Sequence, residues 1–205
     1  FSGAPLAANP LAGLWYPPGW LSWLLPLPFA FNLLVCLHLM WGGVGMFRLA
    51  QSEGLSEPAA WFAALAFESL PKLFAHYGAG HLSLLYAIPW TPWLLLAARI
   101  AAKKAGWRTW EGWALAMIFL ADVRWAVYAG LLWAAYSLYL RNSLRQPAWL
   151  WGVQKIASLA TALLLSLPLA LPLAEFLPLS TRSHLQAKDF LEFSLPPARL
   201  MGLIF

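Results

Sequence analysis

The chain has 205 residues, of which 61% are hydrophobic and 10% charged, with a formal net charge of +5. A soluble domain is about one quarter charged, so this composition excludes an ordinary water-soluble domain, and stretches such as TALLLSLPLALPLA do not alternate as barrel strands must. Most basic residues fall at the ends of apolar runs rather than in one patch, so no nucleic-acid partner is expected. Several apolar runs reach the roughly 20 residues that a helix needs to cross a bilayer. The sequence therefore predicts an all-α, polytopic transmembrane helical bundle of about six membrane segments, bent at prolines.

Residues 1–27 contain Pro5, Pro10, Pro17, Pro18 and Pro26 and cannot form one helix. They are expected to be a non-cytoplasmic loop on the membrane surface, with WYPPGWLSWLL as an anchor, because indoles settle at headgroup level. The opening FSGAPLAANP has no initiator Met, no charged n-region and no cleavage site, which predicts a processed or partial chain. The bundle is expected over residues 28–173. Segment A runs from about Pro28 to Ala50 and carries Cys36, read as a small buried residue. Segment B runs from about Pro58 to His76 with a kink at Pro71. Segment C covers about Leu82 to Ala102, with the PWTPW break near its start.

The stretch WRTWEGWALAMIFLADVRWAVYAGLLWAAYSLYLR is one long helix or a hairpin. One helix of about 32 residues would be about 48 Å long, more than the roughly 30 Å hydrocarbon core. A hairpin folded back at Ala121–Val123 instead gives two segments, D and E. It returns Arg141 and Arg145 to the side of Arg48, Lys103, Lys104 and Arg108, as the positive-inside rule favours. Segment F covers about Ala148 to Leu173, with Pro168 and Pro172 near its exit. Residues 174–205 form a more polar, non-cytoplasmic tail. The expected location is the bacterial cytoplasmic membrane, multi-pass, with both ends of the segment outside and membrane lipids as neighbours.

Few ionisable residues lie within these runs. Glu68, Lys72 and His76 are spaced i, i+4, i+8 and would form one polar stripe on a continuous helix. Such residues at membrane depth are costly and usually face a cavity. Asp122 and Arg124 fall at the hairpin tip, where an arginine can grip phosphate through paired N–H donors and an aspartate can serve as base or metal ligand. His81 and Glu175 belong to the same face. His38 lies mid-segment in LLVCLHLMW and is the candidate to ligate a haem or pigment metal, though a packed, hydrogen-bonded histidine is the alternative. There is no G-x-x-x-x-G-K-[ST], no G-x-S-x-G and no Cys/His zinc spacing, so nucleotide hydrolysis is not expected.

The segments FSGAPLAANPLAGLWYPP, FNLLVCLHLMWGGVGMFRLA, ALAFESLPKLFAHYGAGHLSLLYAIPWTPWLLLA and LPLAEFLPLSTRS…FSLPPARLMGLIF occur in this order. The set resembles the early part of YfhO-type bacterial polytopic membrane proteins, whose loop pattern is G-x-P-L-x-A-N-P-x-x-G-x-x-Y-P-P. The resemblance implies a glycosyltransferase that moves a sugar from a polyprenyl-phosphate donor on the outer face. It also implies a catalytic acid in the first outer loop, upstream of Phe1, so activity is expected where the complete chain supplies that residue. Within this chain, Glu68 and Asp122 are the acid–base candidates. Lys72, His76, His81, Arg124 and Glu175 are the substrate-binding candidates, and a divalent metal is a candidate cofactor. The alternative is a non-catalytic transmembrane subunit of a bioenergetic or photosynthetic complex, with neighbouring subunits as partners and a pigment or haem on His38.

Overall fold

The computed structural model describes residues 3, 5–103, 109–180 and 186. Lys104, Arg108 and nearly all of the tail after Ser180 lie outside the described residues, as does the FSLPPARL stretch. The described residues are helical and contain no strand. Eight α-helices follow one another: α1 Leu27–Ser52, α2 Glu57–Glu68, α3 Pro71–Gly78, α4 Leu82–Ala87, α5 Thr91–Lys103, α6 Trp110–Ala121, α7 Val123–Ser143 and α8 Ala148–Phe176. Among the described residues three helices have the length and apolarity to cross a membrane, namely Leu27–Ser52, Leu82–Lys103 and Ala148–Leu179. Side chains such as Phe62, Trp149, Ile156 and Leu164 are largely exposed. Apolar surface on this scale is what a lipid-facing protein presents.

Local chemistry sets the breaks. Pro28 sits in the first turn of α1, where a missing N–H costs nothing. At the other end Gly54 adopts φ +92°, a left-handed conformation that lets the chain reverse into α2. The return path is close because small residues meet: Ala60 and Ala64 of α2 are buried against α1, whose Gly43 leaves room for Glu68. Segment B is not one helix. The chain breaks at Ser69 and Leu70, and Pro71 opens α3 instead of bending a continuous helix. Segment C tightens into a 3-10 turn at Ile88–Trp90 between α4 and α5. Pro168 and Pro172 lie inside α8, which continues through them. Cys36 is exposed rather than buried, because it opens onto a groove between α1 and α3 instead of packing into the core.

The hairpin between α6 and α7 is present. Asp122 is extended and lies between the two helices, and Glu111 accepts a hydrogen bond from Trp133 Nε1 at 2.7 Å. These two residues stand equally far from Asp122 along the chain, as two antiparallel strokes require. At 1.5 Å per residue α6 is about 18 Å long and α7 about 31 Å. The Arg99 end of the bundle is tied by an Arg99–Glu53 ion pair at 2.8 Å and by Arg99 Nε donating to the Ser52 carbonyl at 2.6 Å. Tyr136 also bonds Glu53, and Gln146 bonds the Ala102 carbonyl.

Two charges that the apolar pattern of the sequence conceals lie in the core. Glu111 is fully buried and Lys155 of α8 is nearly so, with Nζ–Oε distances of 2.8 and 2.6 Å. Lys155 also lies 5.1 Å from the ring centroid of Trp133, a cation–π distance. Next to the pair, Gly112 of α6 abuts α8 so closely that a Cβ would run into the Ser158 carbonyl oxygen. Gly112→Ala is therefore expected to push α6 off α8 and cost about 1–3 kcal/mol. Thermal unfolding in detergent checks this; an unchanged midpoint would show that the contact is slack.

Candidate functional site

The N-terminal segment is fastened over one end of the bundle. Two 3-10 turns, Leu6–Ala8 and Pro17–Trp23, hold it compact, and Tyr16 between them is buried. Trp90 Nε1 donates to the Tyr16 hydroxyl at 2.7 Å, and that hydroxyl donates to His38 Nε2 at 2.6 Å. His38 Nδ1–H in turn donates to the Leu34 carbonyl at 2.6 Å. Burial, partly offset by the Trp90 hydrogen bond, pushes the Tyr16 phenol far above its ordinary pKa, so it stays a donor. Both ring nitrogens of His38 are thus engaged within the protein, and neither is left for the haem or pigment metal that the sequence allowed.

Beneath this strap lies a cavity of about 410 Å³, lined by Tyr16, Trp23, His81, Ser83, Tyr86 and Arg124 among others. The volume falls in the range of small-molecule sites. The Tyr86 hydroxyl is buried and has no hydrogen-bond partner among the described residues.

Around His81 and Arg124 of the cavity lining the structure brings His76, Lys72 and Asp122, so that five of the residues singled out from the sequence lie together. His76 Nδ1 and His81 Nδ1 are 3.3 Å apart. Lys72 Nζ lies 5.6 Å from the Trp125 ring centroid. Burial, joined by the neighbouring His81, Lys72 and Arg124 and opposed by Asp122, holds His76 below the usual histidine range. Imidazole at that position is therefore neutral near pH 7 and able to donate or accept a hydrogen bond.

Asp122 completes the group but is committed. Its carboxylate accepts from the backbone N–H of Arg124 at 2.9 Å and of Trp125 at 3.2 Å, capping α7. It also accepts from Arg124 Nη2 at 2.7 Å, Arg124 Nε at 3.2 Å and Ser83 Oγ at 2.7 Å. Burial alone would raise its pKa, but the Arg124 and Ser83 hydrogen bonds and the Trp125 N–H outweigh that and hold it below the ordinary carboxylate range. The group is a poor proton acceptor at neutral pH. Its role as base is corrected to that of an anchor that orients Arg124, whose side chain remains about half exposed.

Two candidates lie elsewhere. The break before Pro71 removes Glu68 from the face of Lys72 and His76. Glu68 instead lies against Gly43 and lines a separate groove of about 310 Å³ with Asn32, Cys36, Phe74 and Tyr77. Glu175 is exposed in the last turn of α8 and makes no hydrogen bond or ion pair among the described residues. No group of three or more His, Cys, Asp or Glu among the described residues is arranged to hold a metal ion.

Sequence reasoning missed Tyr16, Ser83 and Tyr86. Their only signal was a polar atom beside a glycine- or proline-rich turn, which many loops share. Comparison with protein-family models, with curated proteins and with solved structures finds no match of any of the three kinds.

Proposed function

We propose that the chain is the phosphate-holding part of a multi-pass membrane glycosyltransferase-like protein whose donor is a polyprenyl-phosphate sugar. In this reading the six segments A to F cross or enter a bacterial cytoplasmic membrane, and the Asp122 end faces outward. The observation that supports it is the convergence of Lys72 and His76 on His81 and Arg124, which line the cavity under the strap. Asp122 neutralises only Arg124, so the Lys72 ammonium is left to attract an anion.

Sugar transfer requires an acceptor oxygen to attack the anomeric carbon while the bond from that carbon to the phosphate oxygen breaks. The electron pair departs with the lipid phosphate, and the hydroxyl proton goes to a base. Cationic donors fixed beside the leaving oxygen stabilise the charge that develops there. Arg124 is prepositioned for this by Asp122, and neutral His76 can bond a phosphate oxygen without repelling Lys72. Asp122, held by Arg124 and Ser83 and capping α7, is not the base in this reading.

Lys72→Ala and Arg124→Ala in the intact protein are each expected to lower sugar transfer by about 10²-fold, the usual cost of one charge-stabilising donor. Both should also weaken binding of farnesyl phosphate while leaving the weaker binding of farnesol unchanged. Wild-type turnover in both variants would overturn the reading.

A further inference from the structure

A second cavity lies toward the other end of α1 and contains none of the proposed phosphate-binding residues. It measures about 500 Å³ and is walled by Trp41, Trp90, Trp93, Trp110 and Trp113, with Arg48 at its edge. The rings meet at steep angles. Trp41 stacks on Trp93 with centroids 4.1 Å apart, whereas Trp41 and Trp90 meet edge-on at 64° and Trp90 and Trp113 at 75°. Perpendicular indoles form corners rather than a stack, and corners enclose space. Trp93 Nε1 is spent on the Trp41 carbonyl at 2.8 Å and Trp90 Nε1 on Tyr16. These two indoles therefore offer the cavity π faces and no N–H. Arg48 is exposed and has no ion-pair partner among the described residues.

We propose that this cavity binds a membrane-soluble molecule with a flat conjugated ring and hydrogen-bond-accepting oxygens, of the quinone class. Indole faces bind flat rings by offset stacking. The Arg48 guanidinium supplies planar N–H donors for a ring carbonyl, and its charge disfavours a cationic guest such as a choline headgroup, which aromatic boxes otherwise accept. Volume and an apolar lining with one polar group match a ligand of this size. An apolar tail leaves on the open side, where Trp41 and Trp113 are more than one third exposed. No electron transfer is part of the proposal.

The probe is decylubiquinone, titrated against the purified chain in phosphatidylcholine nanodiscs and followed by tryptophan fluorescence. Saturable quenching at one equivalent is expected. Arg48→Gln and Trp113→Phe should each weaken it at least tenfold, and Trp149→Phe on the exposed face of α8 should leave it unchanged. Arg48→Gln alters an exposed side chain and Trp113→Phe keeps an aromatic wall, so both variants retain the fold; circular dichroism confirms this. Quenching that rises linearly with quinone, or saturable quenching indifferent to both substitutions, overturns the proposal. So does full displacement of the quinone by phosphatidylglycerol, which would show that Arg48 seeks a lipid phosphate rather than a ring oxygen.

Discussion

Lys155→Ala is expected to destabilise the protein by about 3–5 kcal/mol, the cost of removing one partner of a buried ion pair. Glu111 has no exposure, and its carboxylate holds Lys155, the Trp133 indole and, at 3.5 Å, the Ser158 hydroxyl. Truncating the lysine leaves that buried carboxylate without its cationic partner. The loss is not the net value of the pair, because burying both charges was itself costly. Glu111→Leu combined with Lys155→Leu should therefore recover most of the stability. Denaturant unfolding in mixed micelles distinguishes the cases. A single variant within 1 kcal/mol of wild type, or a double variant no better than the single, would show that the network is dispensable.

Asp122→Ala is expected to cost about 3 kcal/mol. It removes the cap of α7, worth about 1–2 kcal/mol, and the buried charged hydrogen bonds with Ser83 and Arg124, each of the class worth about 1.5–3 kcal/mol before non-additivity. The half-exposed Arg124 adds little on its own, because solvent screens it. The pH dependence follows from the depressed carboxyl pKa in the folded protein. A group more acidic when folded contributes stability above its unfolded value of about 3.9, and that contribution is lost as the pH falls through the folded value. Stability from this residue should thus be flat from neutrality down to about pH 4 and fall below it. Asp122→Asn should flatten that acid limb. It should also lower farnesyl phosphate affinity by loosening Arg124, even where the fold survives. An unchanged acid limb in Asp122→Asn would separate the carboxylate from the hairpin's stability.

The helical, membrane-type character of the chain was legible because apolar runs are long and charges rare. The hairpin at Asp122 was legible because one helix would have been too long and would have stranded two charges. The break between α2 and α3 was not, since a proline at a first turn and a proline in a kink read alike. That ambiguity joined Glu68 to Lys72 in one stripe, whereas the chain turns between them. The company of Lys72, His76, His81 and Arg124 was legible from their common end of the bundle, but the commitment of Asp122 was not. An N-cap aspartate and a free catalytic aspartate have the same letter, and only the hydrogen bonds from Ser83, Arg124 and Trp125 tell them apart. Lys155 and Glu111 were hidden for the opposite reason, since each is a single charge in an apolar stretch whose partner lies on a different helix.

Trp90 belongs to two compartments at once. Its indole N–H closes the lid of the upper chamber through Tyr16, while its ring is a wall of the lower one. A guest that tilts this ring must stretch the bond to Tyr16, and a strap that lifts must release the ring. The two chambers are therefore mechanically joined at a single side chain, and neither can be reshaped without the other registering it.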